Sequence, residues 1–197
     1  MDVHVERQYI NELVLQADFA IFSVKQATYA LANAPQPLFF RELHGFLSHA
    51  AAISRLLWPP RERDAQARAR ADARGEYLRT VLNVDDTHVL HNRALRNHLE
   101  HFDVRLDTWA QETTHGAMID MNVGPIAMFL GGPGIGPGDL VRNFDPSTRV
   151  FSFRGDEFNV QDLVTGVELV RAAAIQRAQA LAELEAQASA AAAATGE

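Results

Sequence analysis

VERQYINELVLQADFAIFSVKQATYALAN (residues 5–33) is the stretch from which the fold class can be read. Tyr9, Leu13, Ala17, Ala20, Val24, Ala27 and Leu31 recur at helical spacing, and Phe19, Phe22 and Tyr29 widen the apolar face. This pattern predicts a long helix buried on more than one side. Asn33 and the Pro35/Pro37 pair end it. A second helix is predicted from about Pro37 to Leu57, with Phe39, Leu43, Phe46, Leu47, Ala50, Ile53 and Leu57 as its stripe and Trp58-Pro59-Pro60 as its stop. Two such helices joined by a short proline turn predict an antiparallel hairpin.

Working outward, residues 61–76 are Ala, Arg and acid with little apolar periodicity, which predicts a solvated helix, a projecting arm or partial disorder. The pattern resumes at Tyr77, Leu78, Val81 and Leu82. Asp85-Asp86-Thr87 then offers N-cap chemistry for a third helix, from about His88 to Gln111, with Leu95, Leu99, Phe102, Leu106 and Trp109 inward. From Gly116 the period changes. Residues 116–158 form an insertion in which a β hairpin is predicted, with a turn at Asp145-Pro146-Ser147-Thr148 and a Gly/Pro loop at 131–138. Asn159 caps a final helix carrying Leu163, Val167, Val170, Ala174, Ala178 and Leu181, and residues 188–197 are expected to be a disordered tail. The expected architecture is mainly all-α: one domain over 1–187, an antiparallel helical bundle with a small β hairpin inserted before the C-terminal helix.

Composition narrows the function classes. The chain has 197 residues, 22% charged and 47% hydrophobic, which places it among ordinary globular proteins. It has no cysteine, which excludes a disulfide framework, a thiolate nucleophile, a zinc finger and a cysteine-ligated cluster. No window approaches the 18 or so apolar residues of a membrane span, and MDVHVERQYI places charges where a secretory signal needs its apolar core. A cytoplasmic protein with no membrane partner is expected. The net charge of −7 requires any nucleic-acid contact to use a local basic patch, and the basic residues are all Arg except Lys25. The loop GGPGIGPG lacks the Lys-Ser/Thr or GxGxxG of a phosphate cradle, and its prolines remove N–H donors. Neither GxSxG nor HExxH occurs.

The third helix gathers the chemistry: His88, His91, Arg93, Arg96, Asn97, His98, Glu100 and His101 lie within fourteen residues. At about 100° per residue, His88, His91 and His98 fall at the edge of the apolar stripe, and Arg93, Arg96, Asn97, Glu100 and His101 share the opposite face. The edge histidines read as hydrogen-bonded groups at a helix interface. As metal ligands His91 and His98 would stand about 10 Å apart along the axis, too far to share one ion, so no metal and no cofactor is assigned.

Arg96-Asn97-His98-Leu99-Glu100-His101 resembles the R-polar-x3-H motif of the HEPN superfamily, all-helical domains that include many RNA-cleaving toxins and defence proteins. With 17 Arg and 8 His in 197 residues, an Arg five residues before a His is expected roughly 0.7 times by chance (17 × 8/197), and Arg93…His98 is a second case. Only Arg96 is followed by the required polar residue, Asn97, since Arg93 is followed by Ala94. The resemblance implies a metal-independent endoribonuclease acting as a homodimer, a toxin or phage-defence component with an antitoxin or regulatory protein as a further partner. Its β insertion and Gly/Pro loop depart from a minimal HEPN bundle.

The residue types suit that reaction. His101 can act as acid or base near neutral pH, Arg96 can hold a phosphate by two hydrogen bonds, and Asn97, one turn before His101, can orient its ring. Arg93 and Glu100, on the same face, are assigned to substrate binding. One His cannot be acid and base in a single step, so two copies around one cleft are needed. The products would carry 2′,3′-cyclic phosphate ends. The alternative is a non-catalytic helical module that binds a protein or nucleotide, with Arg96 and Glu100 forming a surface ion pair at i, i+4.

Overall fold

The computed structural model describes residues 1–92, 102–112, 118–130, 136 and 139–195. Helix α1 runs Val3–Asn33, opened by Asp2, whose carboxylate accepts from the His4 and Val5 amides. Helix α2, Gln36–Leu57, begins directly after Pro35 with Pro37 in its first turn, where a missing N–H costs nothing. The two helices fall where the apolar periodicity places them. Ile10, Leu13, Ala17 and Ala20 of α1, with Leu43, Phe46, Leu47 and Ile53 of α2, are fully buried. Gln16 meets His49 at 2.8 Å, Phe19 meets the His49 ring at 5.2 Å, and Ser23 lies against Gly45. Phe19, Phe22 and Tyr29, expected to be buried on a second side of α1, are 45%, 62% and 66% exposed. Of the three, Phe19 reaches α2 through the His49 ring and Phe22 borders a groove shared with Glu168 and Arg171, while Tyr29 is the most exposed.

The Arg-rich stretch forms the first half of a regular helix, α3, over Ala65–Leu82. Asp64 caps it by accepting from the Ala67 amide at 2.7 Å, and alanine and arginine propensity carries it where apolar periodicity is missing. Asn83, left-handed at φ 52°, ends it. The chain then departs from expectation. Asp85 accepts from the Thr87 amide and hydroxyl in a local turn, and residues Val89–His91 are a single 3-10 turn closed at Asn92, whose ψ of 110° is not helical. The helix expected from His88 therefore does not start there. Helix α4, Phe102–Glu112, covers its far end.

The expected hairpin is part of a larger sheet of four strands: β1 (Asn122–Val123), β2 (Arg142–Asp145), β3 (Val150–Phe153) and β4 (Asp156–Asn159), in that spatial order. The predicted turn joins β2 and β3, which pair antiparallel with Phe144 opposite Phe151. A second tight turn at Arg154 and Gly155, both at positive φ (48° and 88°), joins β3 to β4. Strand β1 adds in parallel to β2, Val123 against Phe144. The face carrying Phe144, Phe151 and Phe158 packs under α2, with Phe39 and Phe144 rings 5.0 Å apart. Helix α5, Val160–Thr195, is capped by Asn159, which accepts from the Asp162 amide, and buries Leu163, Val167, Val170, Ala174 and Leu181. It continues through most of the alanine stretch assigned to a tail at 188–197, as expected of the best helix-forming residue. The described structure is mostly helical, with a small sheet before the C-terminal helix.

Candidate functional site

Arg93, Arg96, Asn97, His98, Glu100 and His101 lie outside the described residues, which stop at Asn92 and resume at Phe102. What is described is how the chain is held on either side of them.

On the entering side, Trp58 organises a cluster. It ends α2 with its side chain buried, 5% exposed, and its indole N–H donates to Asp86 Oδ1 at 2.7 Å. The His91 ring stacks on it at 4.9 Å between centroids and 19° between planes, and the His88 ring at 5.9 Å and 26°. Arg79 of α3 places its guanidinium 5.9 Å from the indole centroid, donates to the Leu57 carbonyl, and stands 3.6 Å from Asp86 Oδ1. The Asp86 carbonyl lies 2.8 Å from His91 Nδ1; a carbonyl only accepts, so Nδ1 carries the proton. His88 Nδ1 accepts from the Leu90 amide, which leaves the His88 proton on Nε2, buried with no acceptor among the described residues. Burial lowers the His88 pKa, with Asp85 opposing more weakly, so the ring stays neutral at pH 7.

Two helical glycines make this cluster possible. A Cβ on Gly166 of α5 would sit 2.4 Å from Val89 Cγ1 and 3.2 Å from His88 Cε1, and one on Gly75 of α3 would sit 2.7 Å from the Leu57 carbonyl oxygen. Only glycine lets both helices close on this corner. His88 and His91 are thus interface histidines: each Nδ1 is committed to the backbone, and their rings pack on Trp58. Among the described residues no three His, Asp or Glu side chains are placed to share a metal ion. Together these contacts hold the chain entering the motif segment.

On the leaving side, α4 does not bury the whole expected stripe. Leu106 is 36% exposed and Val104 56%, while Trp109 is half-buried. Glu112 reaches Arg154 of the β3–β4 turn at 3.4 Å, which links α4 to the sheet.

Two further charged clusters were not foreseen. Glu6, 2% exposed, receives the Tyr77 hydroxyl at 2.6 Å and Arg177 Nε at 2.6 Å, tying α1, α3 and α5 together. Burial pushes the Glu6 carboxyl up, but Arg177 and Tyr77 outweigh it and hold it below its ordinary value. Position 6 continues the Ile10–Leu13–Ala17 stripe toward the N-terminus, and a carboxylate in register with an apolar stripe was the available signal. Beside the sheet, Arg142 grips Asp120 through both carboxylate oxygens, and His44 packs edge-on to Phe151 at 6.4 Å with its Nε2 buried and without a partner among the described residues. These pairs join residues 22 to 171 positions apart, so no local spacing announces them.

No family model matches the chain, and no match was found among curated proteins or solved structures. Among the described residues, no helix is long and apolar enough to cross a membrane.

Proposed function

We propose that this chain is a HEPN-like, metal-independent endoribonuclease that works as a homodimer in the cytoplasm, as a toxin or phage-defence component held in check by an antitoxin or regulatory protein. The observation that carries the reading is Arg96-Asn97 followed by His101. The helical setting is consistent with it: contacts between α1 and α2 run in opposite senses (Gln16 to His49, Ser23 to Gly45), which supports an antiparallel arrangement of these two helices within the single domain proposed over 1–187.

In the reaction, the 2′-OH of RNA attacks its own phosphorus, the bond to the 5′-oxygen breaks, and a 2′,3′-cyclic phosphate and a 5′-OH form. One copy's His101 takes the proton from the 2′-OH and the other's protonates the leaving oxygen. Arg96 neutralises charge on the phosphoryl oxygens, Asn97 orients His101, and Arg93 and Glu100 contact the flanking strand. Purified protein with mixed RNA in EDTA tests this directly. Cleavage that falls at least a hundredfold in both Arg96→Ala and His101→Ala supports it. Cleavage unchanged in His101→Ala contradicts it. A folded chain that cleaves nothing favours the non-catalytic binding module, in which Glu100 neutralises Arg96.

A further inference from the structure

We infer that the outer ridge of α1 is a self-association surface on which a second copy of this chain packs antiparallel, about a two-fold axis at Phe22. The homodimer of the proposed function leaves its surface unnamed; this one is argued from α1 alone and stands or falls without the ribonuclease reading.

Leu15, Phe22 and Tyr29 recur every seven residues with Phe19 between them, and they are 44%, 62%, 66% and, for Phe19, 45% exposed. They form a straight seam about 21 Å long, opposite the buried Ile10–Leu13–Ala17–Ala20 stripe. At about 200 Å² per large side chain those exposures leave roughly 400 Å² of apolar surface, within the size range of patches that mark interaction sites. Two copies bury about twice that, and the polar rim brings the total to the lower bound of a stable interface, about 1,200 Å².

Charge selects both the occupant and its direction. Across a two-fold axis at Phe22, Leu15 faces the partner's Tyr29, Phe22 faces the partner's Phe22, and Lys25 lies beside the partner's Asp18 and the ring of the partner's Phe19. Lys25 is the sole lysine of the chain. Asp18 accepts from Arg171 of its own α5 at Oδ1, 2.6 Å away, and its side chain is 48% exposed, so an incoming ammonium can reach the carboxylate. A parallel pairing would instead set Asp18 on Asp18 and Lys25 on Lys25. The ridge is therefore complementary to its own antiparallel copy in apolar pattern and in charge.

Sedimentation velocity on the full chain from about 1 to 100 µM tests the inference, with circular dichroism to confirm unchanged helix content. Wild type is expected to form a dimer. Phe22→Glu, at an exposed position, is expected to raise the dimer Kd at least thirtyfold, the effect of losing a central hot spot. Lys25→Glu is expected to weaken the dimer, and Lys25→Glu with Asp18→Lys to recover it. A chain still monomeric at about 100 µM overturns the inference. So does a dimer that Phe22→Glu leaves unmoved, since that copy must sit elsewhere. RNA cleavage plays no part in either readout, so failure here is distinct from failure of the proposed function.

Discussion

Replacing Glu6 by Gln keeps the shape of the side chain and removes its charge at the junction of three helices. The wild-type carboxylate accepts two charge-assisted hydrogen bonds at 2.6 Å, from Tyr77 and Arg177, while 2% exposed. Such bonds contribute about 1.5–3 kcal/mol each. The amide keeps its oxygen for Arg177 and turns its NH2 to Tyr77, whose hydroxyl oxygen now accepts, so both bonds fall from charge-assisted to neutral strength, about 0.5–1.5 kcal/mol each. Arg177 is 28% exposed and can recover water, which keeps the cost below that of a fully buried broken pair. The expected loss is about 2–3 kcal/mol, read as a fall in the urea midpoint at constant slope and a drop of roughly 5–10 °C in Tm. The pH dependence provides a second readout. Because the folded Glu6 pKa lies below its ordinary 4.5, its contribution is complete above that pH and is lost as the pH falls through the folded value. Glu6→Gln should therefore lose less stability than wild type between about pH 5 and 3. A variant within about 0.5 kcal/mol of wild type at pH 7, with an unchanged acid slope, would refute the reasoning.

Other perturbations follow from the same geometry. Gly166→Ala drives a methyl into Val89 and His88 and should cost about 1–3 kcal/mol in a denaturant titration, with a changed fluorescence spectrum from the adjoining Trp58; a neutral result would mean α5 does not close on that turn. Asn159→Ala removes the cap of α5 and should cost about 1 kcal/mol by the same titration. His44 is held below its ordinary 6.5 by burial first and by Arg142 next, with Asp120 opposing; the unfolded chain thus binds the proton first, and stability falls as the pH drops below about 6.5. His44→Phe, which leaves no unpartnered nitrogen, should match wild type at pH 7.5 and lose less stability by pH 5.5 in urea melts at the two pH values.

The sequence shows α1, α2 and α5 because each carries a long apolar stripe, and it shows the cap at Asn159 and the turn after Asp145 because both are local chemistry. Where contacts are non-local, it shows less. Strand β1 pairs in parallel with β2 across the Gly/Pro loop, so two residues of ladder had no periodicity to reveal them. Of the three alternatives left open for residues 61–76, the solvated helix is the one that forms, from Ala65 onward, and propensity rather than any apolar stripe decides it. The single helix drawn from His88 gives way to a 3-10 turn because Trp58, some thirty residues earlier, and Gly166, far downstream, together fix the backbone there. The reading that Phe19, Phe22 and Tyr29 widen the buried face of α1 fails, because all three are exposed at 45–66%. The site is the reverse case: Arg96, Asn97 and His101 are legible as a motif in sequence, and the described structure bears on them only through the anchored chain at Asn92 and the helix described from Phe102.

The central claim is a particular reaction, and its products identify it. Mixed RNA incubated with the purified wild-type protein in EDTA, followed by mapping of both new ends, should give 2′,3′-cyclic phosphate and 5′-OH termini that disappear in His101→Ala. Fragments ending in 3′-OH and 5′-phosphate, or cyclic ends that persist at the wild-type rate in His101→Ala, would contradict it.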